Sequence, residues 1–328
     1  MKCINKWICL SLLIAASCVS GCGKTSAVIE QPYDVYATAA DFGLSSNGSA
    51  EAKSYFASDL CVSEDVAIGT DSTDSQVAEG AGTFNLETNT VVYAKNLYER
   101  LYPASTTKIL TAYIALKYCD DLDAMVTVSE NAVNQASDSS VCNLKAGDVI
   151  RLRDLLYGLM LRSGNDAAVA IAEYISGDVD SFAALMNQEA AAMGATRSHF
   201  VNPNGLPDEN HYTCVYDMYL IFSNAIKNDT FVSIIGTTSY DVTYTDASGE
   251  AVTHTWENTN QYLTGNATTP DGFQIVGGKT GTTGEAGYCL VLYSYNPSGQ
   301  PIISIVFKAD GKSNLYLLMN EMLQGFAI

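Results

Sequence analysis

Strand-forming segments lie near both ends of this chain and helix-forming segments fill its middle, an order that few folds can accommodate. Thr90 to Tyr93 is rich in β-branched and aromatic residues and reads as a strand. Tyr102 to Tyr118 reads as a helix, with Pro103 suited to its first turn and Ile109, Leu110, Tyr113 and Leu116 on one face. Leu152 to Leu161 is a second apolar helix, interrupted at Arg162–Asn165. Asp166 to Ile175 is a third, stopped by Gly177, and residues 181–193 make another. Strands return late in the chain. Phe273 to Gly278 leads into a Gly- and Thr-rich turn, followed by Tyr288 to Tyr295 and Pro301 to Lys308, with a hairpin signal at Asn296-Pro297-Ser298-Gly299. A closing helix carries Leu315, Leu318, Met319, Met322, Leu323 and Phe326. Its face lacks the Lys/Arg stripe of a membrane-surface helix, so it is expected to pack on the sheet. The arrangement predicts an α/β fold: an antiparallel sheet assembled from distant segments, flanked by helices, with a helical lobe inserted.

The first residues do not belong to that fold. Lys2 and Lys6 precede an apolar run, Trp7 to Ala16, too short to span a bilayer as a mature helix. This is the pattern of a secretory signal peptide. It ends in Val19-Ser20-Gly21-Cys22, which resembles the lipobox of bacterial lipoproteins, in which the cysteine is lipidated and becomes the first residue. Cys18 fits that pattern less well, and an ordinary signal peptide with a chance cysteine is the alternative. Loss of residues 1–21 removes two lysines and no acid, taking the net charge from −19 to −21. So acidic a chain repels phosphate backbones, which argues against nucleic acid as a partner. Residues 22–53 show neither helical nor strand period and read as a flexible tether. The domain expected to carry the activity is 54–328, with no further β-rich domain after it. Of nine cysteines, Cys61, Cys119, Cys142, Cys214 and Cys289 lie in that domain. An odd number without a CxxC pair suggests neither a disulfide framework nor a zinc site.

Three short strings carry chemistry. Ser105-Thr106-Thr107-Lys108 opens the first helix, where a three-residue step puts both end side chains on one face. A serine hydroxyl attacks a carbonyl only when a base takes its proton. A lysine serves as that base only when neutral. Starting from an ordinary pKa near 10.4, this requires about 4–5 kcal/mol of destabilisation of the ammonium, from burial or a second nearby cation. On its own the string arises by chance about once in a chain of this length. Ser163-Gly164-Asn165 sits in the break between two apolar helices. Read alone it is helix punctuation, with Asn165 or Asp166 as N-cap. Read functionally it supplies a hydroxyl to relay a proton and an amide to hold a carbonyl. Lys279-Thr280-Gly281 falls at the end of a predicted strand, either as a hairpin turn or as a strand edge that binds an extended peptide. In the second case Lys279 supplies the cation that lowers Lys108, and Gly281 lets the peptide approach closely.

S-x-x-K, S-D-N and K-T-G in this order are the signature of class A β-lactamases and penicillin-binding proteins. The Ser-Gly-Asn form of the middle string resembles that of the D-alanyl-D-alanine carboxypeptidases, the low-molecular-mass penicillin-binding proteins. The surrounding blocks resemble that family too: Tyr102 to Ala112, Asp154 to Ala168, His199 to Leu206, and Gly278 to Leu290. The resemblance runs from about residue 55 to the end. It implies a β-lactamase/penicillin-binding-protein-like fold and a serine peptidase that needs no cofactor and removes the last D-alanine of peptidoglycan stem peptides. It further implies roles. Ser105 is the nucleophile and Lys108 its base. Ser163 passes the proton to the departing D-alanine, and Asn165 orients the donor peptide and Lys108. Lys279 and Thr280 hold the terminal carboxylate, while the N–H groups of Ser105 and Thr282 form an oxyanion hole beside Gly281. β-Lactams would acylate Ser105. Many family members carry an amphipathic C-terminal anchor; here lipid on Cys22 would hold the protein at the outer face of the cell membrane.

Other readings stay open. A class A β-lactamase needs a Glu-x-x-Leu-Asn segment, and Ser198 to Leu206 contains no Glu. A DD-endopeptidase cutting cross-links shares all three motifs. A non-catalytic β-lactam sensor or binder is usually fused to membrane-spanning segments, and none is visible after the leader. His199, His211 and His254 match no zinc spacing; His199 is expected to be structural, near the floor of the cleft.

Overall fold

The computed structural model of the chain describes Ala57 and residues 59–328. The leader, Cys22 and the tether lie outside the described residues.

The five-stranded sheet is built from β1 (Ala78–Asn85), β2 (Thr90–Lys95), β7 (Gln274–Thr283), β8 (Gly287–Tyr295) and β9 (Pro301–Ala309). Its order is β2-β1-β9-β8-β7, and all pairings are antiparallel. Strands from the two ends of the fold meet at β1 and β9, in register from Ala78↔Ala309 to Asn85↔Ile302. The predicted hairpin joins β8 to β9, where Asn296 Oδ1 accepts N–H bonds from Ser298 and Gln300. β8 and β9 are buried along nearly their whole length because both faces of the sheet are covered. Leu290, Leu292, Ile302 and Val306 pack with Leu315, Leu318, Met319, Met322 and Leu323 of the closing helix. Val291, Ile303, Ile305 and Phe307 point the other way, into the larger core with Phe84, Tyr219 and Phe222. The closing helix, α8 (Lys312–Phe326), thus packs on the sheet as expected.

Between β2 and β7 the chain forms the helical lobe. Its helices are α1 (Lys108–Tyr118), α2 (Glu130–Val133), α3 (Leu152–Tyr157), α4 (Asn165–Ser176), α5 (Val179–Ala192), α6 (Val215–Ala225) and α7 (Asp229–Ile235). The lobe has its own four-stranded sheet, β3 (Met125–Thr127), β4 (Val149–Arg151), β5 (Ser239–Thr245) and β6 (Ala251–Glu257), in that order. The sequence reading assigns no element from 194 to 272 and none to β1, so β1, α6, α7 and this small sheet are additions.

Two expected boundaries move. The helix beginning at Tyr102 starts as a 3₁₀ turn, Ala104–Thr107, before α1 proper. β7 runs through Lys279-Thr280-Gly281 to Thr283, so that string is strand interior and not the turn after it. The ladder with β8 carries it on, pairing Lys279 with Val291, Thr280 with Leu290 and Gly281 with Cys289.

Candidate active site

The nucleophile turn is held from two sides. Ala104, immediately before Ser105, takes the left-handed conformation at φ 47°, a strained choice for a residue with a Cβ. Gly205 presses on it from behind: at φ +88°, a Cβ on Gly205 would stand 1.8 Å from the Ala104 carbonyl oxygen. In front lies β7, where a Cβ on Gly281 would meet the Ser105 nitrogen at 3.0 Å and the Pro103 carbonyl oxygen at 3.1 Å. Only glycine lets strand and turn come this close.

Thr107, inside the S-x-x-K string, is fixed by His211. Nδ1 of that ring accepts the Val201 N–H at 3.1 Å, so Nε2 carries the proton and donates to Thr107 Oγ1 at 2.9 Å. His211 is fully buried, which pushes its pKa down to about 4 and keeps the ring neutral. His199 makes structural contacts: it is half-buried, pairs with Tyr212 through its main chain, and places Nδ1 2.6 Å from the Asn210 carbonyl oxygen. The histidine beneath the cleft is His211.

Lys108 has no exposed surface. Its Nζ lies 2.9 Å from Ser105 Oγ, 2.8 Å from Asn165 Oδ1 and 2.6 Å from the Asn204 carbonyl oxygen. Two of these partners only accept. In its neutral form the amine has two N–H bonds for the two carbonyls and one lone pair left for the serine hydroxyl. Burial, and next the charge of Lys279, hold the Lys108 pKa well below its ordinary value. Lys279 is 1% exposed; its Nζ donates to Ser163 Oγ at 3.0 Å and to the Thr280 carbonyl oxygen at 2.8 Å, and burial lowers its pKa to about 7.

The middle string owes its shape to the break before it. α3 unwinds into a π-helical turn, Gly158–Arg162, and Ser163 follows in the left-handed conformation at φ 61°. A Cβ on Gly164 would lie 2.3 Å from Cys142 Sγ and 2.8 Å from Asp166 Oδ1, so glycine is what fits between Ser163 and Asn165. The buried Asp166 carboxylate accepts N–H bonds from Cys142, Leu144 and Ala167. With the Asn165 N–H bond to the Ser140 carbonyl oxygen at 2.8 Å, this ties the 138–144 loop to the start of α4.

β7 is the terminal strand of its sheet, and the cleft runs along it. One arm, of about 140 Å³, is lined by Ser105, Ser163, Thr280, Tyr288, Lys312 and Tyr316. There the Thr280 hydroxyl sits 2.5 Å from that of Thr259. The other arm leaves Ser105 past Asn165, Asn204, Thr282 and Glu285. Thus Ser105, Lys108, Ser163, Asn165, Lys279, Thr280, Gly281 and Thr282 converge on one cleft. The sequence reading missed Asn204, Thr259, His211, Ser140 and Lys312 as site residues. Asn204 lies in a family-like block and was open to detection; Lys312 carries no signal at all.

The comparisons with known proteins agree with this geometry. A family described as D-alanyl-D-alanine carboxypeptidase (peptidase S11) matches residues 69–311. The D-alanyl-D-alanine carboxypeptidase DacF of Bacillus subtilis is 34% identical over 251 residues, which cover 75% of this chain and 61% of DacF. The D-alanyl-D-alanine carboxypeptidase of Streptomyces sp. K15 is 34% identical, over 76% of this chain and 88% of that one. The crystal structure of the Streptomyces K15 DD-transpeptidase superposes with a TM-score of 0.71 at 33% identity, covering 77% of this chain and 98% of that one.

Proposed function

We propose, because the chain belongs to the D-alanyl-D-alanine carboxypeptidase family, that it is a serine peptidase releasing the terminal D-alanine of peptidoglycan stem peptides. The observation that carries this reading is the approach of Lys108 Nζ to 2.9 Å from Ser105 Oγ while Lys279 Nζ lies 3.0 Å from Ser163 Oγ.

Ser105 Oγ attacks the carbonyl carbon of the penultimate D-alanine as its proton passes to Lys108 Nζ. The developing oxyanion is taken by the N–H groups of Ser105 and Thr282; donors of this kind are each worth about 10²–10³ in rate. With Oδ1 on Lys108, Asn165 has its NH₂ to offer a substrate carbonyl. Ser163 hands its hydroxyl proton to the departing amine as the C–N bond breaks, and the proton that Lys108 took from Ser105 replaces it, so Ser163 and Lys108 return to their starting states. Lys279 and Thr280 hold the terminal carboxylate, and Lys312 adds positive charge to that arm. Water then attacks the ester, frees the shortened peptide and restores the Ser105 hydroxyl. A β-lactam opens its ring on the same oxygen and leaves Ser105 acylated.

A second reading, in which an amine replaces water as acceptor, is favoured by the name of the Streptomyces K15 DD-transpeptidase. Upstream of the domain, we propose that residues 1–21 are a leader, 22–53 a tether, and Cys22 a lipidated anchor on the outer face of the membrane. Among the described residues no helix is long and apolar enough to cross a membrane. Palmitate incorporation that survives Cys22→Ala would sink the anchor.

D-Alanine release from a pentapeptide ending in D-Ala-D-Ala tests the activity. Wild type should release it, penicillin should abolish release, and Ser105→Ala should be inert. Penicillin labelling without release, with or without an amine acceptor, would turn the reading to an endopeptidase or a sensor.

A further inference from the structure

The loop from Val201 to Gly205 backs the nucleophile segment. Thr111 Oγ1 on α1 donates to the Pro203 carbonyl oxygen at 2.7 Å. Lys108 Nζ lies 2.6 Å from the Asn204 carbonyl oxygen. Gly205 stands so close to Ala104 that only a residue without a Cβ fits there. The Asn204 carbonyl therefore meets the base only while this loop keeps its distance from the turn.

His211 spans the two. The Val201 N–H donates to its Nδ1 at 3.1 Å, and its Nε2 donates to Thr107 Oγ1 at 2.9 Å. Among the described residues, no other side chain outside the loop and the Ser105–Lys108 string bonds both. Thr107 is fully buried, and its hydroxyl has no other partner among the described residues. His211 is itself fixed from elsewhere: its main-chain N–H donates to the Asp208 carbonyl oxygen at 2.9 Å, and its ring meets Phe200 edge-on at 5.5 Å between centroids. The charged and titratable groups about the ring are Asp208, His199 and Lys108. Burial outweighs them, so the ring stays neutral well above pH 4, with one nitrogen accepting and the other donating. His211 lines neither arm of the cleft. Whatever it contributes to the reaction passes through the groups it holds.

The Asn204 carbonyl matters to Lys108 in two ways. It stabilises the ammonium more than the amine, and so offsets part of the effect of burial. In the neutral form it takes up one N–H bond, which together with Asn165 leaves the lone pair for Ser105. We propose that His211 is a positioning residue for acylation: by clasping Val201 to Thr107 it fixes the Asn204 carbonyl against Lys108, and so sets both the aim and the proton affinity of the base. This inference rests on the reading of Lys108 as the base for Ser105 and deepens it.

The test is the rate of Ser105 acylation by labelled penicillin across pH. His211→Phe keeps a ring and loses both bonds. His211→Asn keeps an acceptor where Nδ1 stands and loses the donor to Thr107. His211→Gln keeps a donor where Nε2 stands and loses the acceptor for Val201. Stoichiometric labelling certifies that each protein is folded. His211→Phe should be acylated about ten- to a hundredfold more slowly at its optimum, as expected of a misplaced base. Its acidic limb should move down by about one pH unit, because the ammonium has lost an acceptor. His211→Asn should return the limb to its wild-type position, and His211→Gln should not. An unchanged rate in His211→Phe, a slower rate with an unmoved limb, or a limb that follows the donor to Thr107 instead of the acceptor for Val201 would overturn the proposal. Where His211→Phe does not label to completion, the limbs of the Asn and Gln variants decide. Folded wild type that takes up no penicillin would count against the reading of Ser105 and Lys108 itself, whereas labelled wild type with variants that behave alike would strike only the role of His211.

Discussion

Lys108 and Lys279 have no charge partner of opposite sign at bonding distance; each amine is surrounded by hydroxyls, an amide and main-chain carbonyls. Burial lowers both; for Lys108 the charge of Lys279 adds to it, outweighing the opposing influence of Cys142 and Asp166. The mechanism uses them in opposite states, Lys108 neutral and Lys279 charged. The rate of Ser105 acylation by penicillin should then be bell-shaped in pH. It rises as Lys108 loses its proton, at a pH well below the usual lysine range, and falls as Lys279 loses its own at about 7. Lys279→Arg, whose guanidinium keeps its charge, should lack the alkaline limb whatever its absolute rate. A wild-type rate flat from pH 6 to 9 would refute the assignment. At this scale the sequence was informative about the groups that react and poor about those that hold them. Ser105, Lys108, Ser163, Asn165 and Lys279 are set apart by spacing. The Asn204 carbonyl acts through its main chain, and Lys312 reaches the cleft from a helix more than 200 residues after the nucleophile, so spacing is silent about both.

Among the elements, β1 explains a typical failure of pattern reading. Its sequence, Ala-Glu-Gly-Ala-Gly-Thr-Phe-Asn, has little β propensity. A Cβ on Gly80 would meet the tip of the Leu101 side chain at 2.8 Å, and one on Gly82 that of Leu97 at 2.8 Å, so glycine spares these leucines a shift. Tertiary packing here works against local preference, which favours a β-branched residue. The break before α4 obeys the same logic. Gly164→Asp would recreate the Ser-Asp-Asn form of the motif, yet it drives a side chain into Cys142 and sets a second carboxylate against Asp166. Overpacking of this kind costs about 1–3 kcal/mol, and like charges add to it. The variant should melt several degrees lower and be acylated by penicillin more slowly. Unchanged melting and labelling would show that the loop at Cys142 yields more easily than its hydrogen bonds to Asp166 suggest.

For the whole molecule, the order of strands and helices along the chain was enough to foresee a sheet closed across a helical insertion. The four-stranded sheet of the lobe went unread although β5 and β6 set Tyr240, Val242 and Tyr244, and Val252 and Trp256, in alternation with exposed residues, the period of a half-buried strand. The two cores on either side of the main sheet and the complete cleft all lie between Cys61 and Ala327. Cys22→Ala should accordingly abolish palmitate incorporation and release the protein from membranes while leaving Ser105 open to penicillin. Loss of penicillin labelling in that variant would mean that the region upstream of residue 57 is needed to form the site.

The edge of β7 has one more consequence. An unpaired strand edge is a template for any other strand, and proteins usually blunt such edges with proline, bulges or outward-facing charge. β7 cannot be blunted over Lys279–Thr283 if it is to receive a peptide. Elsewhere it is obstructed: a Cβ on Gly277 would lie 2.3 Å from the Ile235 carbonyl oxygen at the end of α7. What stays open is a slot for one short, flexible chain. The walls that hold the catalytic groups thus also shorten the strand edge left open to edge-to-edge pairing.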